Sequence, residues 1–459
     1  MSSHAFAASY FMSASGSDSN NGTSSGTPWL TPNHSGLNCG DTISAASGTY
    51  STFTITSTPT CTTHNAVWII CATFDTCKVS GSESQGAIVV NANYWAVLGW
   101  ETTTPSGSST QNTSCFQAGE GSGAVHDIYF VDDIANGCLG GGFVTGTGAD
   151  YVVLIADIAY NAAQGSTYCY SGVSIYQPYP SDTLPGTHIY VAQIFSWDNL
   201  EPNTCNGGNS TDGEGIIFDT FNSAQSGLGV YTQQAVIANS LTVYNGAGGI
   251  GELGSGNSNA HIYIYNNTAH GNFINTNQNA ENCAEIEDVG YPFTGSGNQN
   301  RYTEVYRNIA SAEYATSQGC NNQPQYAFSF GNVDSTNVGY NNIGWSVAGN
   351  NVQLLGTTTG LVQANNTYGI NPSFANPSTN NAIPGAPSCG SYSSVITCMA
   401  TMVANFTPTN TTVLQSGYGY QSPSSAVIYD PLFPQFLCNN PSMPTGLVTM
   451  GCLTGSAVR

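Results

Sequence analysis

A loosely recurring unit of roughly 30–40 residues runs through the middle of the chain and restricts the fold more than any other feature. His188-Ile189-Tyr190-Val191, Gln234-Ala235-Val236-Ile237, His261-Ile262-Tyr263-Ile264 and Tyr302-Thr303-Glu304-Val305 each open such a unit. Each runs on to an Asn-bearing corner: Trp197-Asp198-Asn199, Val243-Tyr244-Asn245, Tyr265-Asn266-Asn267 and Tyr306-Arg307-Asn308. No helical period lies between them, and one strand-and-turn unit of that length cannot bury a core alone. Stacking makes such units stable. The pattern therefore predicts an all-β solenoid of parallel sheets, with inner faces filling the core and outer faces meeting water.

The charge balance narrows the partners. Four Lys and Arg stand against 26 Asp and Glu, a formal net charge of -22 over 459 residues. Such a surface repels phosphate backbones and anionic lipids, which argues against nucleic acid and membrane partners, and it repels a polyuronate unless cations intervene. No apolar run approaches the roughly 20 residues of a membrane-spanning helix. The 40% hydrophobic and 11% aromatic content argues for a folded chain rather than a disordered one. Fourteen cysteines without a Cys-x-x-Cys pair point to disulfides and a secreted protein, expected as a monomer. Cys138, Cys169, Cys205, Cys283 and Cys320 each precede the same repeated strand. Coils about 4.8 Å apart then predict Cys138–Cys169 and Cys283–Cys320 as staples.

From Tyr10 the chain reads Tyr-Phe-Met-Ser-Ala-Ser-Gly-Ser-Asp-Ser-Asn-Asn-Gly-Thr, followed by Thr27-Pro28-Trp29, Gly40-Asp41-Thr42-Ile43 and Gly48-Thr49-Tyr50. Asn371-Pro372-Ser373-Phe374 stands near the far end. These segments resemble the pectate lyase-like superfamily of extracellular proteins. The resemblance implies a right-handed parallel β-helix with its site in an outer groove across one sheet, near the middle coils. Residues 1–9 read as a leader remnant, Ala5-Phe6-Ala7 resembling a signal-peptide cleavage region. The β-helix is expected over 10–370. An irregular C-terminal segment, 371–459, is expected to cap one open end, with a helix over 395–406.

The scarce acids gather on one strand of three consecutive coils: Asp212, Glu214 and Asp219, then Glu252, then Glu285, Glu287 and Asp288. Alternation puts Asp219, Glu285 and Glu287 outward if Ile216, Phe218 and Ile286 point in. Aligning Gly215 with Gly249 turns Glu252 inward, at a cost that a one-residue slip would remove. Acids one coil apart would lie roughly 5 Å from each other, and acids two coils apart roughly 9.5 Å. The second value suits an inverting glycosidase pair, which needs about 6.5–9.5 Å, better than a retaining pair at about 5–5.5 Å. The leading expectation is a glycoside hydrolase with Asp219, Glu252, Glu285 and Glu287 as its catalytic acids. Trp197, Asp198, Asp212, Glu214, Tyr244, Asp288 and Arg301 are expected to bind a polysaccharide.

No cofactor is required on this reading, although an oxygen ladder of this kind also suits Ca²⁺. A polysaccharide lyase needs a basic residue, and the chain holds only Lys78, Arg301, Arg307 and Arg459. A carbohydrate-binding surface protein is the non-enzymatic alternative. The Gly-His-Gly and Arg-Ile-Lys motifs of polygalacturonases and the Asp-Pro-His-Asp run of mannuronan epimerases are absent, so neither catalytic set is carried over.

Overall fold

The computed structural model describes residues 7–61, 64–81, 86–103, 113–119, 124–165, 169–201, 212–221, 228–254, 260–275, 283–290, 299–314, 320, 323–377, 404–416, 418–420, 432 and 434. Among them the chain winds through three sheets in turn. The first holds twelve strands, from Ser9–Met12 to Val362–Ala364. The second holds eleven, from Gly48–Tyr50 to Thr367–Tyr368, and the third ten, from Phe53–Ile55 to Val352–Leu355. A middle coil supplies one strand to each: Thr187–Ala192, Phe195–Trp197 and Ile216–Asp219, followed one rung on by Gln234–Ala238, Leu241–Val243 and Ile250–Gly254. These rungs pair in parallel within every sheet. The molecule is a right-handed parallel β-helix, the hand that parallel crossovers take.

Alternation builds the core. Ile189, Val191, Ile262 and Ile264 of the first sheet meet Ile216, Phe218, Ile250 and Ile286 of the third inside the coil, all buried. The second sheet does the reverse. Its middle residues, Ala135, Ala159, Ser196, Thr242, Ala269 and Ala310, are small and buried. Its larger residues, Phe195, Trp197, Leu241, Val243 and Ile309, form a separate cluster with Phe374, Phe406 and Val413 of the C-terminal segment. The described tail, including the short helix Thr411–Ser416, therefore covers a side of the solenoid rather than an end. Leu354, in the inward column of the last strand of the third sheet, is 56% exposed. Most of the expected helix over 395–406 lies outside the described residues.

Runs such as 189–197 look continuous in sequence but turn a corner. Gln193, Asn239, Asn266, Arg307 and Asn341 all take left-handed φ between the first and second sheets. That conformation costs about 1–2 kcal/mol in an L-residue. A buried ladder offsets it: Asn267, Asn308 and Asn342 each donate Nδ2 to the Oδ1 of the next rung, at 3.1, 3.1 and 3.2 Å, ending on Asn366. Of the predicted staples, Cys283–Cys320 forms, whereas Cys138 bonds Cys115. The register was right for Cys138, but its partner lies one coil earlier instead of one later.

Candidate functional site

The outer face of the third sheet carries the acids. Ile216, Ile250, Ile286 and Phe328 form one inward column, and Ile217, Gly251, Glu287 and Ser329 form the neighbouring outward one. Glu214 sits at the corner leading into its strand and accepts the Ser171 hydroxyl at 2.6 Å. The next coil presents only glycine below it. A Cβ built on Gly248 would lie 3.8 Å from Glu214 Cγ and 3.6 Å from Glu287 Oε1. Glu214 Cγ also lies 3.8 Å from the corresponding point on Gly251. Two carboxylates from coils two apart thus converge over a floor without side chains, and those two atoms are no farther apart than the two lengths together.

Electrostatics follow from that crowding. Burial, with Asp212 and Glu287 adding like charge, holds the Glu214 carboxyl well above its usual range. Burial lifts Glu287 to about 8 against one opposing backbone donor, the Ala284 amide at 3.2 Å. Asp219 points outward as expected, in the column of Tyr176 and Leu253, and burial followed by Asp212 raises it to about 7. Its Oδ1 accepts the Thr220 hydroxyl at 2.6 Å. Asp212, half-buried at the margin, donates its backbone N–H to Glu201 Oε2 at 2.8 Å. Cys169, Glu201 and Asp212 bring three ligand atoms together. Cys169 is disulfide-bonded, however, and offers no thiolate to a metal.

Several predicted site residues are elsewhere. Glu285 is not on the outer face. It occupies the rung after Gly215 and Gly249, where a Cβ would strike the corner amides Asn245 Nδ2 and Asn272 Nδ2 at 2.8 and 2.7 Å. Asn199 donates to Asn245 at 2.8 Å, Asn245 to Asn272 at 2.9 Å, and Asn272 to Glu285 Oε2 at 2.5 Å, with Gln325 closing on Oε1 at 2.8 Å. Glu285 terminates a second asparagine ladder, completely buried, and is structural.

Glu252 and Asp288 point into the core because Gly215 and Gly249 do align and no slip intervenes. Asn300 Nδ2 donates to Glu252 Oε2 and, at 2.6 Å, to Asp288 Oδ1, while Asn337 Nδ2 reaches Asp288 Oδ2 at 2.9 Å. Neither acid can meet a substrate. Trp197 and Tyr244 lie on the outer face of the second sheet instead. Trp197 stacks on Tyr160 at 4.5 Å, and Tyr244 lies 6.3 Å from Phe406 beneath the tail. They belong to the apolar cluster there. Asp198 follows Trp197 at the corner between the second and third sheets with φ 54°, and burial raises it to about 6. Arg301 precedes a strand of the first sheet and pairs with Asp334 at 3.1 Å, away from the acids.

The chain matches no family model and no curated protein. Among solved structures it is similar to a rhamnogalacturonan lyase, with 16% identity, 80% of this chain and 90% of that one covered, and a TM-score of 0.42. It is similar to pectate lyase Pel9A at 14% identity, with 83% and 85% covered and a TM-score of 0.37. It is also similar to the GH136 lacto-N-biosidase from Eubacterium ramulus at 10% identity, with 79% and 68% covered and a TM-score of 0.39. Likeness at this level is one of architecture and carries no argument about activity.

Proposed function

We propose that the protein is a secreted glycoside hydrolase that cuts a neutral or weakly charged polysaccharide in an open groove on the third sheet. One observation carries this reading: Glu214 and Glu287 converge over Gly248 and Gly251. Two carboxyls that share one face can flank a glycosidic bond as acid and base. Glu287 keeps its proton near neutral pH and acts as general acid toward the leaving oxygen. Glu214, itself held well above its usual range, is the second carboxyl of the pair, and the competent state carries one proton shared between them. Asp219 and Tyr176, adjacent in register farther along the strand, form the neighbouring sugar subsite.

Elimination that relies on a Lys or Arg base finds neither on this face among the described residues. Lys78 is held by Glu101 on the second sheet, Arg301 by Asp334, and Arg307 stands over the Tyr418 ring at 5.7 Å. The test is product analysis on a panel of neutral glycans and polyuronates, with and without added Ca²⁺. New reducing ends without unsaturated-uronate absorbance, lost in Glu287→Gln and Glu214→Gln, are expected. That absorbance would assign the lyase reaction instead. Tight glycan binding without shortening would assign a binding protein.

A further inference from the structure

A second titratable cluster sits at the starts of the middle strands of the first sheet. Asp127 opens the strand His126–Val131 and is fully buried. Its Oδ1 faces His64 Nδ1 at 2.9 Å and accepts the Tyr129 hydroxyl at 2.8 Å, and its Oδ2 faces His126 Nδ1 at 2.7 Å. The other nitrogen of His64 faces Asp182 Oδ2 at 3.6 Å, and Tyr151 donates its hydroxyl to Asp182 Oδ1 at 2.9 Å. One coil on, His188 Nδ1 faces both oxygens of Asp150 at 3.1 Å while its Nε2 faces the Leu184 carbonyl at 2.9 Å. Asp150 also accepts from Ser181 N at 2.7 Å and from the Tyr231 hydroxyl at 2.8 Å.

Hydrogen-bond accounting gives the cluster its meaning. A neutral imidazole has one N–H, and His64 and His188 each face acceptors with both nitrogens. For His64, only a ring carrying a proton on each nitrogen presents a donor to both Asp127 and Asp182. These two rings sandwich Tyr151, at 4.0 and 3.8 Å between centroids and 29° and 23° between planes, and the face toward His64 suits a cation. His126 differs, since Asn93 Nδ2 donates to its Nε2 at 2.8 Å and a single proton on Nδ1 suffices. The other titratable groups facing the cluster are Tyr94, Tyr129 and Tyr231.

We propose that His64, with Asp127 and Asp182 and beside the His188–Asp150 pair, forms a proton-operated clasp that holds residues 177–186 against the first sheet. Gln177 and Pro178 anchor the start of the segment, whereas beyond them Ser181, Asp182 and Leu184 supply its ties to the cluster while Leu184 and Tyr179 are exposed. A protonated His64 donates toward both carboxylates. Loss of a proton turns a nitrogen lone pair toward a carboxylate, and the segment opens. His64 is raised above its ordinary value, first by its hydrogen bond to Asp127. The clasp is therefore fully closed below that ordinary value and opens as pH rises through the higher folded one. Because the segment starts beside Tyr176, opening also loosens one border of the groove. That consequence rests on the proposed function, and the clasp itself does not.

Hydrogen exchange of the whole chain, read on peptides spanning 177–187 and corrected for intrinsic rates, tests the clasp without an activity assay. Exchange at about pH 5 is expected to be at least ~10-fold slower than at about pH 8 in the wild type. In His64→Gln and in Asp182→Asn it should be fast at both. Equal protection of the wild-type segment at the two pH values overturns the proposal. So does an undiminished pH dependence in both variants, or an alkaline loss shared by the core strand Gln234–Ala238, which would make the change global.

Discussion

Glu252 Oε1 and Asn300 Oδ1 are among the buried oxygens that no hydrogen bond satisfies. They lie 3.4 and 2.6 Å from the same point, a Cβ built on Gly254. One proton on Oε1, donated to Asn300 Oδ1 while Asn300 Nδ2 donates to Oε2, closes a cyclic acid–amide pair and satisfies both. Above about pH 6 Asp288 is then ionised on the amides of Asn300 and Asn337. Glutamine copies this arrangement, because its N–H replaces the acid O–H. Glu252→Gln should therefore match the wild type at about pH 5 and exceed it by about 1–2 kcal/mol at about pH 8 in denaturant titrations. Glu252→Ala should lose about 1–3 kcal/mol at both. On the outer face, Glu287→Gln should abolish glycan shortening without lowering the unfolding midpoint. Wild-type activity should fall as pH rises through about 8, where Glu287 gives up its proton.

At the scale of the element, the two asparagine ladders decide which sequence signals could be read. The Asn-bearing corners were legible as corners, and the strand parity that places Asp219 and Glu287 outward was legible as well. Their sorting into two classes was not, because Asn267 and Asn245 look alike until the strand lengths between them are known. The same blindness misplaced Glu285. Its alternation with Ile286 was read correctly, but the first residue of a strand at a corner leans into the ladder rather than following the pleat. The column Gly172, Gly215 and Gly249 was the available signal, since three glycines in register mark a place where a Cβ has no room. Trp197 and Tyr244 failed for a related reason. Each closes a strand of the second sheet, and no periodicity shows that the tail covers that sheet.

The ladder also makes a prediction of its own. Asn272→Ala removes the donor to Glu285 and the acceptor for Asn245, leaving a buried acid with one side-chain partner fewer. A loss of about 2–4 kcal/mol is expected, larger than for Asn366→Ala at the exposed end of the other ladder. Denaturant titration of the two variants compares them.

Over the whole molecule, proton uptake sets the conditions in which the solenoid is strongest. Burial raises Asp75 to about 7, Asp219 to about 7, Glu287 to about 8 and Asp288 to about 6. Burial also raises Asp133, Asp157, Glu214, Glu252 and Glu285 well above the ordinary range. For each of these acids the unfolded chain ionises first. The native state then binds more protons than the unfolded one, and stability falls as pH rises between the two values. Lowered carboxyls work the other way, but Asp18, Glu101 and Asp127 are fewer. His270, buried beneath Phe374 and Phe406 and pushed down to about 3, also opposes, losing stability below its ordinary value of about 6.5. The net charge of -22 acts in the same direction as the raised acids, since self-repulsion grows with every proton released. The apparent melting temperature should therefore peak at about pH 4–5 and drop by at least about 5 °C by about pH 8. His270→Phe should raise stability on the acid side alone, without altering the alkaline decline. Scanning calorimetry across that range measures both slopes, and a maximum above neutrality would mean that the buried acids are ionised in the native coil.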